Sequence, residues 1–148
     1  MFPHSVLLHF EEDRDFAHSL AKAAGMQVLT VQRHRFPDGE LKLRLPATLP
    51  KQVVVLRTLN DPNEKLVELL MVADSARGTG ARHLSLVAPY LAYMRQDIAF
   101  NPGEVVSQRV VGRFLAGLFN AVITVDPHLH RVATLQEAVP VPRAIVLS

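Results

Sequence analysis

The chain has 148 residues, 49% of them hydrophobic and 20% charged, with a formal charge of +2 and no cysteine. Such a length and balance describe one soluble globular domain with a core of its own, and they exclude disulfides, thiolate metal sites, iron–sulfur clusters and cysteine nucleophiles. The basic residues form no stripe of the kind a nucleic-acid interface needs, no apolar run reaches the roughly 18 residues of a membrane span, and Glu11, Glu12 and Asp13 come too early for a signal peptide, so a cytoplasmic protein is expected.

Residues 5–10 form a short apolar run and are expected as a strand. Asp13 is placed to cap a helix reaching Ala24, with Phe16, Leu20 and Ala24 at i, i+4 and i+8 and Gly25 as its stop. Residues 27–36 read as one strand, and Pro37-Asp38-Gly39 is a turn. From 40 to 45 the residues alternate strictly, with Leu41, Leu43 and Leu45 on one face and Glu40, Lys42 and Arg44 on the other. That is a half-buried strand, forming a hairpin with the one before it.

The pattern then changes. Residues 53–56 are a continuous apolar run, as expected of a strand buried on both faces; 83–88 and 121–125 read as further buried-type strands, and 144–147 looks like a fourth. Between the first two, Asn60-Asp61-Pro62-Asn63 opens a helix with the stripe Leu66, Leu69, Leu70, Ala73 and Ala76, which Gly78 and Gly80 end. A polar, irregular stretch covers 89–103. A second helix is expected over 104–119, with Val111, Phe114, Leu115 and Leu118 inward and Glu104 on the favourable end of its dipole. Strands alternating with helices of this length give an α/β fold: a doubly wound, mostly parallel sheet carrying an N-terminal β-hairpin.

In such sheets ligands bind beyond the carboxyl ends of the strands. Three polar segments fall there: 58–61, 88–97 and 126–130. In the last, an acid ends the strand and His128 and His130 follow two residues apart, so their side chains can face the same way. Asp126 with two histidines suits a metal, a polyphosphate or proton transfer; it also reads as a strand-end cap followed by two surface histidines. Arg95-Gln96-Asp97 combines a guanidinium, an amide and a carboxylate, able to hold a phosphate and a heterocycle edge, or to form a solvated loop with a local ion pair. Phe36-Pro37-Asp38-Gly39-Glu40 is a hairpin turn whose aromatic and acids can also meet a base. Gly78-Thr79-Gly80 closes a helix, whereas a phosphate loop opens one. The remaining histidines, at 4, 9, 18, 34 and 83, read as structural.

Taken in order, these segments resemble the N-terminal half of ribose-phosphate diphosphokinase, also called phosphoribosyl-pyrophosphate synthetase. The resemblance rests on residues 36–40, on Asn60-Asp61-Pro62-Asn63 before Glu68-Leu69-Leu70-Met71, on 88–97, on Gly103-Glu104-Val105-Val106-Ser107 and on Thr124-Val125-Asp126-Pro127-His128. It implies a phosphoribosyltransferase-type domain of an enzyme that moves the diphosphoryl group of Mg-ATP to ribose 5-phosphate, giving phosphoribosyl diphosphate and AMP. It further implies that Arg95, Gln96 and Asp97 belong to the ATP site, that His128 and Asp126 lie at Mg²⁺ and the phosphates, and that Phe36, Asp38 and Glu40 meet the adenine bound mainly by a neighbouring subunit of a homo-oligomer. The resemblance puts the catalytic loops in a second domain that these 148 residues do not contain. Departures from the family's pattern fall at Ile98, where a basic residue is common, at Pro127, and at Leu129-His130-Arg131. A non-catalytic homologue that pairs with a true synthetase, and a metal-dependent hydrolase built on Asp126, His128 and His130, are the other readings.

Overall fold

The computed structural model describes residues 4–148. Six strands make one parallel sheet: β1 (Ser5–His9), β2 (Gln27–Thr30), β5 (Gln52–Leu56), β6 (His83–Ala88), β7 (Ala121–Val125) and β8 (Arg143–Leu147), in the order β2-β1-β5-β6-β7-β8. β3 (Gln32–Arg35) and β4 (Leu41–Arg44) form a separate antiparallel pair. α1 (Arg14–Ala24) covers one face of the sheet through Ala17 and Leu20 against Leu7 and Leu56. α2 (Pro62–Gly78), α3 (Ser107–Leu118) and the single turn α4 (Leu135–Ala138) cover the other, where the larger core lies. With helices on both faces of a parallel sheet, the expected fold class stands.

Burial follows the expected runs only in part: alternate residues of β6 are half-buried, and β8, expected as a fourth buried strand, lies at the edge of the sheet and is largely exposed. β1 is buried at every position, and Val53 and Val55 of β5 face the larger core while Val54 faces α1's side. His9 sits in this interior with both ring nitrogens engaged, Nδ1 to the carbonyl of Phe10 at 2.8 Å and Nε2 to the Thr30 hydroxyl at 3.1 Å. It is a satisfied core histidine.

Several expectations need correction. The expected strand over 27–36 is two strands, because the chain leaves the main sheet at Val31. That residue donates its N–H to the His9 carbonyl at 2.7 Å and buries its side chain in the larger core, so β2 pairs with β1 and β3 turns away to pair with β4. In α1 Ala17 and Ala21 are buried with the expected Leu20 half-buried beside them, and Phe16 is 52% exposed. Two alanines let the helix approach the sheet closely, one position round from the stripe the sequence offers. In α2 the buried set is Glu68, Leu69, Val72, Ala73 and Ala76, and Leu70 faces solvent. The second helix starts at Ser107, later than 104. The Glu104 carboxylate instead accepts the N–H groups of Phe100 at 2.8 Å and Asn101 at 3.1 Å, closing the loop before the helix. These hydrogen bonds, with that of the Asn101 side-chain amide, lower the Glu104 pKa.

The hairpin follows its alternation. Arg33 pairs with Leu43 and Arg35 with Leu41, and Leu43 and Leu45 pack on the larger core. Its tip is closed by the Phe36 N–H to the Glu40 carbonyl at 2.8 Å, with Gly39 at φ 95°, a left-handed value glycine adopts without strain. A two-stranded ribbon is marginal alone, so its position depends on what β3 and β4 touch.

Candidate functional site

The loops after β5, β6 and β7 enclose a cleft of about 530 Å³. Residues 60–63 of the first loop form one wall, and 90–96 of the second form another. Ser107 at the start of α3 and His128 after β7 complete it. All three segments singled out from the sequence therefore meet, at the carboxyl ends of adjacent parallel strands. Each loop also holds one non-glycine residue in the left-handed region: Asp61 at φ 50°, Tyr93 at φ 62° and Asp126 at φ 42°. These are the only such residues among those described. Each costs of order 1–3 kcal/mol, and such strain clusters at functional sites.

Around the cleft, the Tyr93 hydroxyl donates to the Asn63 side-chain oxygen, joining the first two loops. The Leu59 N–H donates to the Tyr90 carbonyl at 2.9 Å, and the Tyr90 N–H to the Thr58 hydroxyl at 3.3 Å. Gln108, 4% exposed inside α3, donates its amide to the Met94 carbonyl at 3.1 Å, and its own N–H reaches the Gln96 carbonyl at 3.2 Å. It holds the 94–96 backbone from beneath. Nothing in the sequence pattern marked it beyond a polar residue next to the apolar stripe of a helix.

The expected site residues divide into three groups. Arg95, Gln96 and His128 line the cleft together. The Arg95 side chain has no hydrogen bond or ion pair among the described residues and is exposed. The His128 and His130 rings lie 6.1 Å apart and 27° from parallel, so the two do face the same way. Asp97 and Asp126 adjoin the cleft without lining it. The Asp97 side chain is fully buried and bonded to Arg131 at 2.6 Å, and Asp126 fixes the end of β7 by donating its N–H to the Leu147 carbonyl at 2.9 Å. Phe36, Asp38 and Glu40 stand elsewhere, at the exposed hairpin tip. There Asp38 accepts the Glu40 N–H at 3.1 Å, and hydrogen bonding to Glu40 lowers the Asp38 pKa. A groove of about 280 Å³ runs from Glu40 and Leu41 to Val67 and Met71 of α2.

Asp126, His128 and His130 set one carboxylate and two imidazoles at the end of β7. No group of three or more His, Asp or Glu side chains suited to a metal ion exists among the described residues. Of these three side chains only the Asp126 carboxylate is a hard oxygen donor of the kind Mg²⁺ takes, so a Mg²⁺ ion here would have to be held largely by substrate phosphates and water. The three do not make an all-protein cage.

A second polar region, unforeseen from sequence, lies where the strand order reverses between β1 and β5, the usual ligand crevice of this topology. Here the chain's own charges line it, around a space of about 370 Å³. Arg57, 2% exposed after β5, donates from Nε and Nη2 to Glu68 Oε1 at 3.0 and 2.6 Å, and from Nη1 to Glu12 at 3.1 Å and Asp13 at 3.4 Å. Its guanidinium lies 4.4 Å from the Phe10 ring centroid. Arg33 of the hairpin donates to the other Glu68 oxygen at 2.6 Å and to Glu12. The network thus moors β3 to α2 and to the turn after β1. Burial acts to raise the Glu12 pKa, but the hydrogen bond from Arg33 and the charges of Arg57 and Arg33 outweigh it and bring it from 4.5 down to about 2. A carboxyl lowered on folding stabilises the fold above its unfolded value, and that contribution is lost as pH falls through the folded value. The urea midpoint is therefore expected to fall between pH 4.5 and pH 2, less steeply in Glu12→Gln. Because the Glu12 side chain is 49% exposed, added salt shrinks the difference. Parallel pH profiles for the two proteins would contradict the assignment.

The geometry can now be set beside known proteins. A family model described as the N-terminal domain of ribose phosphate pyrophosphokinase matches residues 5–118. The chain belongs to the ribose-phosphate pyrophosphokinase family. The relative from Methanopyrus kandleri, named ribose-phosphate pyrophosphokinase, is 39% identical over 132 residues, covering 88% of this chain and 45% of that protein. The one from Thermococcus kodakarensis is 38% identical over 120 residues, 81% of this chain and 40% of that protein. The chain spans less than half the length of these family members. A crystal structure of phosphoribosylpyrophosphate synthetase from Mycobacterium smegmatis superposes with a TM-score of 0.84 over 97% of this chain and 48% of that one, at 21% identity, and shows the shared fold.

Proposed function

We propose that the chain is the ATP-binding domain of an enzyme that transfers the diphosphoryl group of Mg-ATP to ribose 5-phosphate, releasing AMP. What supports this reading is one observation above the rest: three strained loops converge on a cleft that presents a free guanidinium, an amide and an imidazole from adjacent strand ends.

The roles follow from the side chains. Arg95 offers a planar fork of donors, suited to phosphate oxygens and always charged. Gln96, with both a donor and an acceptor, can meet a polar edge of the nucleotide, although its amide now rests on the Ile98 carbonyl at 2.8 Å. His128 faces the phosphates, holding charge or a proton at its ring nitrogens. When bound with the nucleotide, Mg²⁺ would neutralise developing phosphate charge, with Asp126 and His128 as the side chains nearest to hold it. Phosphoryl transfer asks the protein chiefly for positioning and charge complementarity.

The hairpin tip does not line this cleft, so Phe36, Asp38 and Glu40 serve the adenine bound by a neighbouring copy. Exposed Phe36, Val67, Leu70 and Met71 beside the hairpin groove offer an apolar surface for that homo-oligomer. No helix among the described residues is long and apolar enough to cross a membrane.

Titration calorimetry with Mg-ATP tests the site. Arg95→Ala removes a charge-assisted contact of about 1.5–3 kcal/mol and is expected to weaken binding roughly ten- to a hundred-fold. Its thermal stability should stay near that of the parent, because the side chain holds no partner among the described residues. Equal affinity in the variant would remove Arg95 from the site. AMP release from Mg-ATP and ribose 5-phosphate then separates an enzyme from a non-catalytic homologue, which would bind the nucleotide and release none.

A further inference from the structure

The loops on either side of the cleft come from neighbouring strands, yet β6 and β7 stop pairing at Ala88 and Thr124. Beyond that point residues 89–106 and 126–134 run without strand hydrogen bonds to one another. Among the described residues, one hydrogen bond crosses between them: Arg131 Nη1 to Asp97 Oδ1 at 2.6 Å. The same guanidinium lies 5.2 Å from the centroid of the Phe100 ring, so Arg131 grips the first loop at two points.

The two partners are unequal. The Asp97 side chain is fully buried and that of Arg131 is 46% exposed. Asp97 Oδ1 has Arg131, and Oδ2 is buried with no hydrogen-bond partner among the described residues. A buried carboxylate needs a compensating charge. Here that charge comes from the opposite loop, three residues after His128, while Arg95 and Gln96 immediately precede Asp97.

We propose that Asp97 and Arg131 form a clasp that fixes His128 relative to Arg95 and Gln96, and that both are positioning residues facing away from the ligand. The functional meaning of the clasp rests on the ATP-site reading above; the clasp itself does not. Without Arg131 the buried Asp97 carboxylate must either take up a proton or draw in water, and either way the charged contact that ties the two loops together is lost. Lysine at 131 keeps the charge within reach of Asp97 but not the guanidinium that lies over Phe100.

The test is amide hydrogen exchange by NMR on the whole chain, together with Mg-ATP titration. The reporters are the amides of Phe100 and Asn101, both bonded to Glu104, and that of Glu137, bonded to Thr134 beyond the second loop. In Arg131→Ala all three are expected to exchange about ten-fold faster or more, because a charged hydrogen bond is lost. Amides of α2 should keep their protection, which shows that the variant is folded. Arg131→Lys should restore most of the protection and most of the Mg-ATP affinity. Asp97→Asn, which removes the buried charge and spares the shape, should loosen the loops less than Arg131→Ala does.

Unchanged exchange at Phe100 and Asn101 in Arg131→Ala would overturn the clasp. So would weakened Mg-ATP binding with unchanged exchange, because Arg131 would then be touching the ligand. If the parent chain binds no Mg-ATP, the ATP-site reading falls, and the exchange measurements still decide the clasp.

Discussion

Replacing Glu68 with alanine is expected to cost about 3–5 kcal/mol, the range for breaking a buried ion pair from one side. The Glu68 side chain is fully buried on α2 and receives three hydrogen bonds, two from Arg57 and one from Arg33. Removing it strands the Arg57 guanidinium at 2% exposure. Glu12 and Asp13, at 3.1 and 3.4 Å from Arg57 Nη1, supply partial compensation, so the lower half of the range is favoured. Against a typical domain stability of about 5–15 kcal/mol that is still a large share. The double variant Arg57→Met, Glu68→Leu removes both charges, and an apolar pair of similar volume is expected to recover most of the loss. Urea midpoints for the parent, the single and the double variants read this directly. A loss below about 1 kcal/mol in Glu68→Ala, the value of an exposed pair, would mean that water serves these groups and that the network does not hold α2 at the crevice. Because Arg33 loses one of its two acidic partners in the single variant, the hairpin should also loosen, and its amides should exchange faster than those of β5.

Where the chain's pattern depends on neighbours in sequence, it was readable. β5, β6 and β7 are rich in apolar residues because one face is buried in the larger core and the other is half-buried, and the parallel order and the loops at their ends follow. The hairpin was readable because Leu41, Leu43 and Leu45 alternate with charge. What depends on how elements rotate against each other was not. Whether Phe16 or Ala17 faces the sheet turns on how closely α1 approaches it, and the buried place of Glu68 turns on which side of α2 meets Arg57. Asp97 finds its partner 34 residues away, on another loop. α4, with four residues, is too short for any periodicity. Of the candidate site, the polar segments and the shared direction of His128 and His130 could be foreseen, but the separation of the hairpin tip from the cleft could not, since β3 leaves the sheet at a single buried valine.

α3 offers two glycines five positions apart for which the same substitution should act in opposite directions. A Cβ on Gly117 meets nothing within 4 Å. Alanine there gains helix propensity and constrains the unfolded chain, a stabilisation of about 0.4–1 kcal/mol. A Cβ on Gly112 would lie 1.8 Å from the Ala138 carbonyl oxygen and 2.9 Å from its carbon. These are backbone atoms and cannot rotate away, so Gly112→Ala is expected to destabilise by about 3 kcal/mol, the upper end for overpacking. Relief requires α4 to move off α3, and that movement bears on the site. α3 begins at Ser107 in the cleft, and α4 ends the loop that carries His128 and Arg131. Gly112→Ala should therefore weaken Mg-ATP binding as well as lower the unfolding temperature, while Gly117→Ala raises that temperature and leaves binding alone. A Gly112→Ala protein of lower stability but undiminished affinity would show that α4 shifts without carrying His128 with it, and the position of His128 would then depend on β7 and the Asp97–Arg131 contact alone.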